Sequence, residues 1–149
     1  MGNDAVTALA RAAINDAVFA YLDPVGPPPP GRDRDPYWEA GHHPDIVERV
    51  WNGLSEQLPS DARCLVNGNP VLAHRASGAV LALPRGTSYA LWLRPDDRDG
   101  CGLSTKHRWG NGTETDLSDR LGAGWYWGAF DQREPAWCAD AHRWWSARS

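Results

Sequence analysis

Two cysteine–histidine pairs are the residues in this sequence whose types best match known site chemistry. Cys101 precedes His107, and Cys138 precedes His142 near the end of the chain. Two thiolates and two imidazoles are the usual ligands of a tetrahedral structural zinc ion. On a helix, Cys138 and His142 lie one turn apart and can point the same way. The set predicts a zinc site. The alternative is that the four residues have separate structural roles, because the first pair is spaced more widely than in zinc knuckles.

The remaining cysteine is less suited to chemistry. Asn67-Gly68 predicts a tight hairpin turn, which places Cys64 opposite Val71 and leaves His74 on the other face of the ribbon. A nucleophile must lie within hydrogen-bond reach of its base. The hairpin therefore disfavours a dyad of Cys64 and His74, and it favours Cys64 as a small buried apolar residue.

An enzymatic interpretation rests on residue types alone. Adjacent His42 and His43, with Asp45 nearby, would need a third ligand to hold a metal ion, and we interpret them as a surface loop. No phosphate-binding glycine loop, Gly-x-Ser-x-Gly turn or His-Glu-x-x-His motif is present. An acid–base site would draw on His74, Arg94, His107, Asp116 and Asp131.

Tryptophan is the most unusual feature of the composition, with nine residues in the chain. Trp is enriched at interfaces, although a core built on Trp in place of Phe and Met is the alternative. Trp125 and Trp127 share one face of a predicted strand, and Trp92 shares a face with Arg94, whose guanidinium can stack on aromatic rings. The predicted binding surface comprises Trp92, Arg94, Trp125, Tyr126, Trp127 and His74.

Three amphipathic segments predict the helices that position these residues, at 3–22, 45–58 and 134–146. Pro44 suits the first position of the second helix, and Asp131 with Glu134 resembles a capping box before the third. Residues 23–43 are rich in Pro and Gly and predict an extended linker. The predicted organisation is an N-terminal helix over 1–22, this linker, and one domain over 44–149.

Between the second and third helices, turn residues separate short runs of apolar residues. They predict a central antiparallel meander of about four to six strands, roughly over 62–94, 105–115 and 124–130. Helices that flank such a sheet define an α+β domain. The segment from Asn67 to Leu93, with Gly68-x-Pro70-Val71-Leu72, a turn at Gly78 and strands through Val80 and Tyr89, resembles the central hairpins of the MmcQ/YjbR-like group of small bacterial α+β proteins. The resemblance implies a fold and carries no site.

Charge and composition narrow the range of partners. The net charge is −4, whereas binding to nucleic acid or to an anionic membrane needs clustered positive charge. We therefore expect neither nucleic acid nor a membrane as a partner. The sequence shows no signal peptide or membrane span, so we expect a cytoplasmic location with reduced cysteines. The wide apolar face of the helix at 3–22 makes a homodimer through that helix one candidate assembly.

From the sequence, the leading hypothesis is a non-enzymatic binding or protein-interaction domain that uses the Trp- and Arg-bearing surface, with a protein partner, a second copy or a small ligand bound there. The first alternative is a domain stabilised by zinc at Cys101, His107, Cys138 and His142, with no other cofactor expected. The second is an enzyme with a His-based acid–base site.

Overall fold

A computed structural model describes residue 18 and residues 43–66, 69–109 and 112–148. Val18 is helical and 1% exposed, within the hydrophobic core. The rest of the predicted N-terminal helix and most of the predicted linker lie outside the described residues. Within the described residues, no helix is both long and apolar enough to cross a membrane.

The described chain forms an α+β fold, as the sequence predicts. A five-stranded antiparallel sheet has the order β1-β2-β3-β4-β7, and β5 and β6 pair separately as a two-stranded ribbon. The strands are β1 (Arg63–Val66), β2 (Asn69–Ala73), β3 (Val80–Arg85), β4 (Ser88–Trp92), β5 (Lys106–Arg108), β6 (Glu114–Asp116) and β7 (Trp125–Trp127). The predicted first hairpin is confirmed, because Cys64 pairs with Val71 and Val66 pairs with Asn69.

The central strands are covered on both faces. Every residue of β2, β3 and β4 is buried, so these strands lack the alternation of apolar and polar residues that marks a half-exposed sheet. The β1 strand, at the sheet edge, does alternate, with Arg63 and Leu65 exposed. The core therefore lies in the middle of the meander.

The helices are α1 (Pro44–Glu48), α2 (Pro95–Arg98), α3 (Leu117–Arg120) and α4 (Glu134–Ser146). Pro44 is at the start of α1, and His43 Nδ1 accepts a hydrogen bond from the Asp45 N–H at 3.1 Å. The predicted helix at 45–58 does not stay α-helical. From Arg49 to Leu54 it continues as a π-helix, which bulges the backbone and is often found at functional positions.

The α4 helix has the bounds that the sequence predicts, but its predicted capping box is wrong. Arg133 occupies the N-cap position without a side-chain cap, and Asp131 Oδ1 accepts from the Arg133 N–H at 2.8 Å. The buried Glu134 carboxylate instead accepts from the Ala129 N–H, at 2.8 Å.

Candidate functional site

A cavity of about 450 Å³ lies beside the last turns of α4. This volume is within the range of small-molecule sites. We call it the Trp/Arg pocket, and its lining residues are Arg94, Asp140, Arg143, Trp144, Ala147 and Arg148.

Three tryptophan rings pack together here, and Trp144 is the one of them that lines the cavity. The Trp92 ring centroid lies 5.2 Å from that of Trp144 and 5.7 Å from that of Trp145, and the last two rings meet edge to face at 4.9 Å. These separations are typical of favourable aromatic pairs. Trp92 belongs to β4, so the cluster joins the C-terminal end of α4 to the sheet. Within the described chain, the buried Trp145 indole N–H has no hydrogen-bond acceptor.

One arginine is stacked on the Trp144 ring. The Arg148 Cζ lies 3.5 Å from the centroid of the Trp144 ring, and its Nη1 donates to the Trp144 carbonyl oxygen at 3.0 Å. The carbonyl contact and the ring together hold a planar guanidinium in one orientation. An aromatic face with a fixed cation on it can bind a flat group and an anion side by side.

Carboxylates gather at the opposite end of the pocket. Arg94 Nε donates to Asp97 at 2.9 Å, and its Nη1 and Nη2 lie 3.3 Å from Asp96 and 3.8 Å from Asp140. Asp140 also pairs with Arg143, whose side chain is 68% exposed. Burial, together with the neighbouring charge of Asp140, raises the pKa of Asp97, although Arg94 opposes the shift. Arg94 is therefore already well supplied with counter-charge.

The residues predicted for the binding surface divide between two places. Arg94 lines the Trp/Arg pocket, whereas Trp92 is buried and packs against Trp144. Trp125 pairs directly with Trp92 across the sheet, but it is only 4% exposed. Trp127 is also buried; its indole N–H donates to the Thr115 carbonyl at 3.3 Å, and its ring packs on His107 and Trp109.

Tyr126, between them, is half-buried and packs against the core. The aromatic ring that lines the cavity is thus Trp144 of α4, against which Trp92 of β4 packs.

His74 connects the end of β2 to the last turn of α4. Its Nδ1 accepts from the Ser77 N–H at 3.1 Å, which leaves the ring proton on Nε2, 3.0 Å from Ser146 Oγ. Ser146 in turn donates to the His142 carbonyl at 2.9 Å. Because Nε2 carries the proton, His74 donates to Ser146 and cannot remove its proton. We call His74, Ser77, His142 and Ser146 the histidine latch. Its hydrogen bonds favour a structural role for His74 and Ser146 over a nucleophilic role for Ser146.

Acid is expected to weaken the histidine latch. The His74 and His142 rings lie 4.6 Å apart. Burial, and then the proximity of His142, lowers the pKa of His74, whereas Asp61 acts to raise it. Burial also lowers the pKa of His142, with Asp61 opposing and Arg143 reinforcing the shift. As the pH falls, these two histidines therefore bind protons at a higher pH in the unfolded chain than in the folded one. The free energy of unfolding should for that reason fall as the pH drops below about 6.5.

Urea denaturation at pH 8.0 and pH 5.5 measures this effect. We expect a smaller loss of unfolding free energy in a His142→Gln variant than in the wild type. His43→Gln serves as the control, because His43 interacts with Asp45 at the start of α1. An equal loss in His142→Gln and wild type would contradict a role for this histidine.

The structure does not bring the predicted zinc ligands together. Cys101 is buried beside Arg133, which donates to its carbonyl oxygen at 3.2 Å, whereas His107 packs on Trp109 at 4.5 Å. Cys138 is fully buried, which raises its pKa to about 12, and His142 faces His74. Across the described residues, no three His, Cys, Asp or Glu side chains are grouped to hold a metal ion.

Two further residues of the acid–base interpretation stabilise local turns. Asp116 caps α3 by accepting from the Ser118 N–H at 3.0 Å, and these contacts with Ser118 lower its pKa. Hydrogen bonds from Arg133 lower the pKa of Asp131 to about 2. Both carboxylates are thus suited to remain charged and to anchor backbone, and neither faces the Trp/Arg pocket.

A buried charge network is the main feature that the sequence interpretation missed. Glu134 is 0% exposed and its Oε1 accepts from Arg49 Nη2 at 2.8 Å and from the Tyr89 hydroxyl at 2.5 Å. Its Oε2 accepts from the Ala129 N–H at 2.8 Å. The Tyr89 oxygen also accepts from the Phe130 N–H at 2.7 Å. The network joins the π-helical segment, β4, α4 and the loop before α4.

A second, polar cavity of about 380 Å³ runs along α1 and the π-helical segment, and Arg49 lines it with Asp45, Glu48, Asn52 and Gly53. Arg49 provides the guanidinium among these lining residues, and it already donates hydrogen bonds to Glu134 and to the Asp131 carbonyl. We regard this cavity as a groove beside the charge network.

The sequence interpretation also left out most of the pocket lining. Asp140, Arg143, Trp144 and Arg148 are not among the residues that the sequence predicts for the binding surface. A signal was present, because adjacent residues on a helix diverge by about 100°. Trp144 and Trp145 cannot both lie at the centre of one buried stripe, so one of the two rings had to approach the surface.

The described chain is therefore an α+β fold with a polar pocket beside its last helix, lined on one side by the Trp144 ring. No family model, curated protein or solved structure matches the chain.

Proposed function

We propose that the protein is a non-enzymatic binding domain whose ligand occupies the Trp/Arg pocket. The observation that carries this proposal is the stack of Arg148 on Trp144 at the edge of a cavity of about 450 Å³. An oriented cation on an aromatic face supplies both stacking surface and directional hydrogen bonds. Those two contributions are the usual basis of small-ligand and partner-side-chain recognition.

Two further observations support binding over catalysis. His74, which contacts the last turn of α4, holds its proton toward Ser146, and so it lacks the arrangement of a general base. The pocket arginines have neighbours that fix them in place, and the lining residues include no Ser, Thr, Cys, Lys or His. Preformed sites of this kind bind without large rearrangement.

Indole N–H signals in a nitrogen-15 correlation spectrum test the proposal. We expect at least one of three flat probes, 2-naphthoate, 2-naphthamide and 2-naphthylmethylamine, to shift the Trp144 signal, which a Trp144→Phe variant assigns. The Trp109 signal is the internal control, because that indole is buried and donates to Thr115 Oγ1 at 2.8 Å. Absence of any shift at Trp144 with all three probes would refute the proposal.

A Trp144→Leu variant should weaken the binding of a responsive probe by about two- to tenfold, because it removes aromatic stacking worth about 0.5–1.5 kcal/mol. An unchanged dissociation constant in a variant that remains folded would also count against this pocket.

A further inference from the structure

The charges of the Trp/Arg pocket are segregated along its length. Asp96 and Asp97 lie against Arg94 at one end, and Asp140 is shared between Arg94 and Arg143. Among the described residues, no ion pair engages Arg148, which is exposed at the other end. The part of the pocket that can accept an anion is therefore the end formed by Trp144 and Arg148, and the exposed side chain of Arg143, although paired with Asp140, also lines the pocket.

The geometry of Arg148 suits a planar oxyanion. One of its nitrogen atoms, Nη1, is used by the Trp144 carbonyl at 3.0 Å. The guanidinium presents its other donors in the plane of the group, and two parallel N–H bonds to a carboxylate are the preferred arrangement for arginine. Since the guanidinium stacks on Trp144, that plane is fixed before the ligand arrives.

The surroundings favour one negative charge over two. Asp140 lies within the lining, and the C-terminal end of α4 contributes the partial negative charge of a helix terminus. Both reduce the attraction that a doubly charged phosphate would experience. A monoanion can pair with Arg148 and the exposed side of Arg143 while losing less to repulsion from Asp140.

Resting on the proposed function, we infer that the ligand is a singly charged carboxylate attached to a flat ring. The carboxylate binds Arg148, with Arg143 as the second cation, and the ring packs beside the Trp144 wall. In this arrangement, Arg148 determines the specificity for a carboxylate, and Arg143 adds electrostatic attraction for any anion.

Titration calorimetry with three matched probes tests this inference: 2-naphthoate, 2-naphthamide and 2-naphthyl phosphate. We expect 2-naphthoate to bind at least tenfold more tightly than the amide and more tightly than the phosphate. An Arg148→Gln variant should lose at least tenfold in affinity for 2-naphthoate and should bind the amide as the wild type does. The control Arg108→Gln, on the exposed face of β5 outside the pocket lining, should leave all three affinities unchanged.

The failures are distinguishable. Equal affinity for naphthoate and naphthamide would overturn the carboxylate assignment and leave the binding pocket in place. Tightest binding of the phosphate would overturn the single-charge argument. An unchanged naphthoate affinity in folded Arg148→Gln would overturn the role of Arg148. Lack of response at Trp144 to every naphthalene probe would instead reject the binding function itself.

Discussion

Replacing Glu134 by alanine is expected to lower the free energy of unfolding by about 3–5 kcal/mol, because removing one partner of a buried ion pair leaves the other charge uncompensated. Arg49 would lose its carboxylate, and the Tyr89 hydroxyl and the Ala129 N–H would lose their acceptors. Urea denaturation at pH 7 with circular dichroism measures the change. A loss below about 1 kcal/mol would contradict the network described here.

Two variants separate charge from packing in this experiment. Glu134→Gln keeps the shape of the side chain but removes its charge and one acceptor, so we expect most of the loss to remain. Glu114→Ala is the matched control; Glu114 is exposed on β6, and its removal should change stability by no more than about 0.5 kcal/mol.

A double variant tests the coupling. Combining Arg49→Met with Glu134→Ala removes both charges, so the joint loss should be smaller than the sum of the two single losses by about 1–3 kcal/mol. Strict additivity would mean that the Arg49–Glu134 contact, 2.8 Å long in the structure, contributes no interaction energy.

The second large effect is expected at Gly128. A Cβ at this position would lie 1.9 Å from Cε2 and 2.2 Å from Cζ of Tyr89, far inside van der Waals contact. Gly128→Ala must therefore displace the Tyr89 ring, which also breaks the hydroxyl contacts to Glu134 and Phe130. We expect a loss of about 3–5 kcal/mol in unfolding free energy, from overpacking and lost hydrogen bonds together.

Gly122→Ala provides the control for this substitution. Gly122 has φ of +97°, but a Cβ there would meet no heavy atom within 4 Å, so only backbone strain of about 1–2 kcal/mol is expected. The clash is tested directly by adding Tyr89→Leu to Gly128→Ala, because removing the ring should make the two effects less than additive. If Gly128→Ala were no worse than Gly122→Ala, the close approach of Gly128 to Tyr89 would be refuted.

Much of the fold could be predicted because its signals are local. The bounds of α4, the Asn67-Gly68 hairpin and the strand segments follow from periodicity and turn chemistry within a few residues. The π-helical segment could not be predicted in this way. Its apolar positions, such as Val50 and Leu54, lie on an ordinary helical stripe. The π-helical segment begins at Arg49, and Arg49 contacts Glu134 and Asp131, which are distant from it in the sequence.

The candidate site could likewise be predicted only in part, because local sequence patterns do not show which elements pack together. Trp92 and Arg94 could be chosen from the sequence because of their residue types and shared strand. Whether a given tryptophan is exposed depends on what covers it, and that is decided by contacts between elements. Trp127 is buried by the β5–β6 ribbon through Thr115, whereas Trp144 lines a cavity. Composition indicates an aromatic surface, but only the packing of α4 on the sheet determines which rings form it.

The last turn of α4 has two neighbours at once: His142 and Ser146 face His74, and Trp144 faces the cavity that Arg148 helps to line. Thermodynamic reciprocity then applies to this short stretch of chain. A ligand that binds more tightly when the last turn of α4 is held by His74 must stabilise that contact by the same free energy. If the proposed ligand binds beside Trp144, its affinity should therefore depend on the protonation of His74 and His142, even though the ligand need not touch either ring.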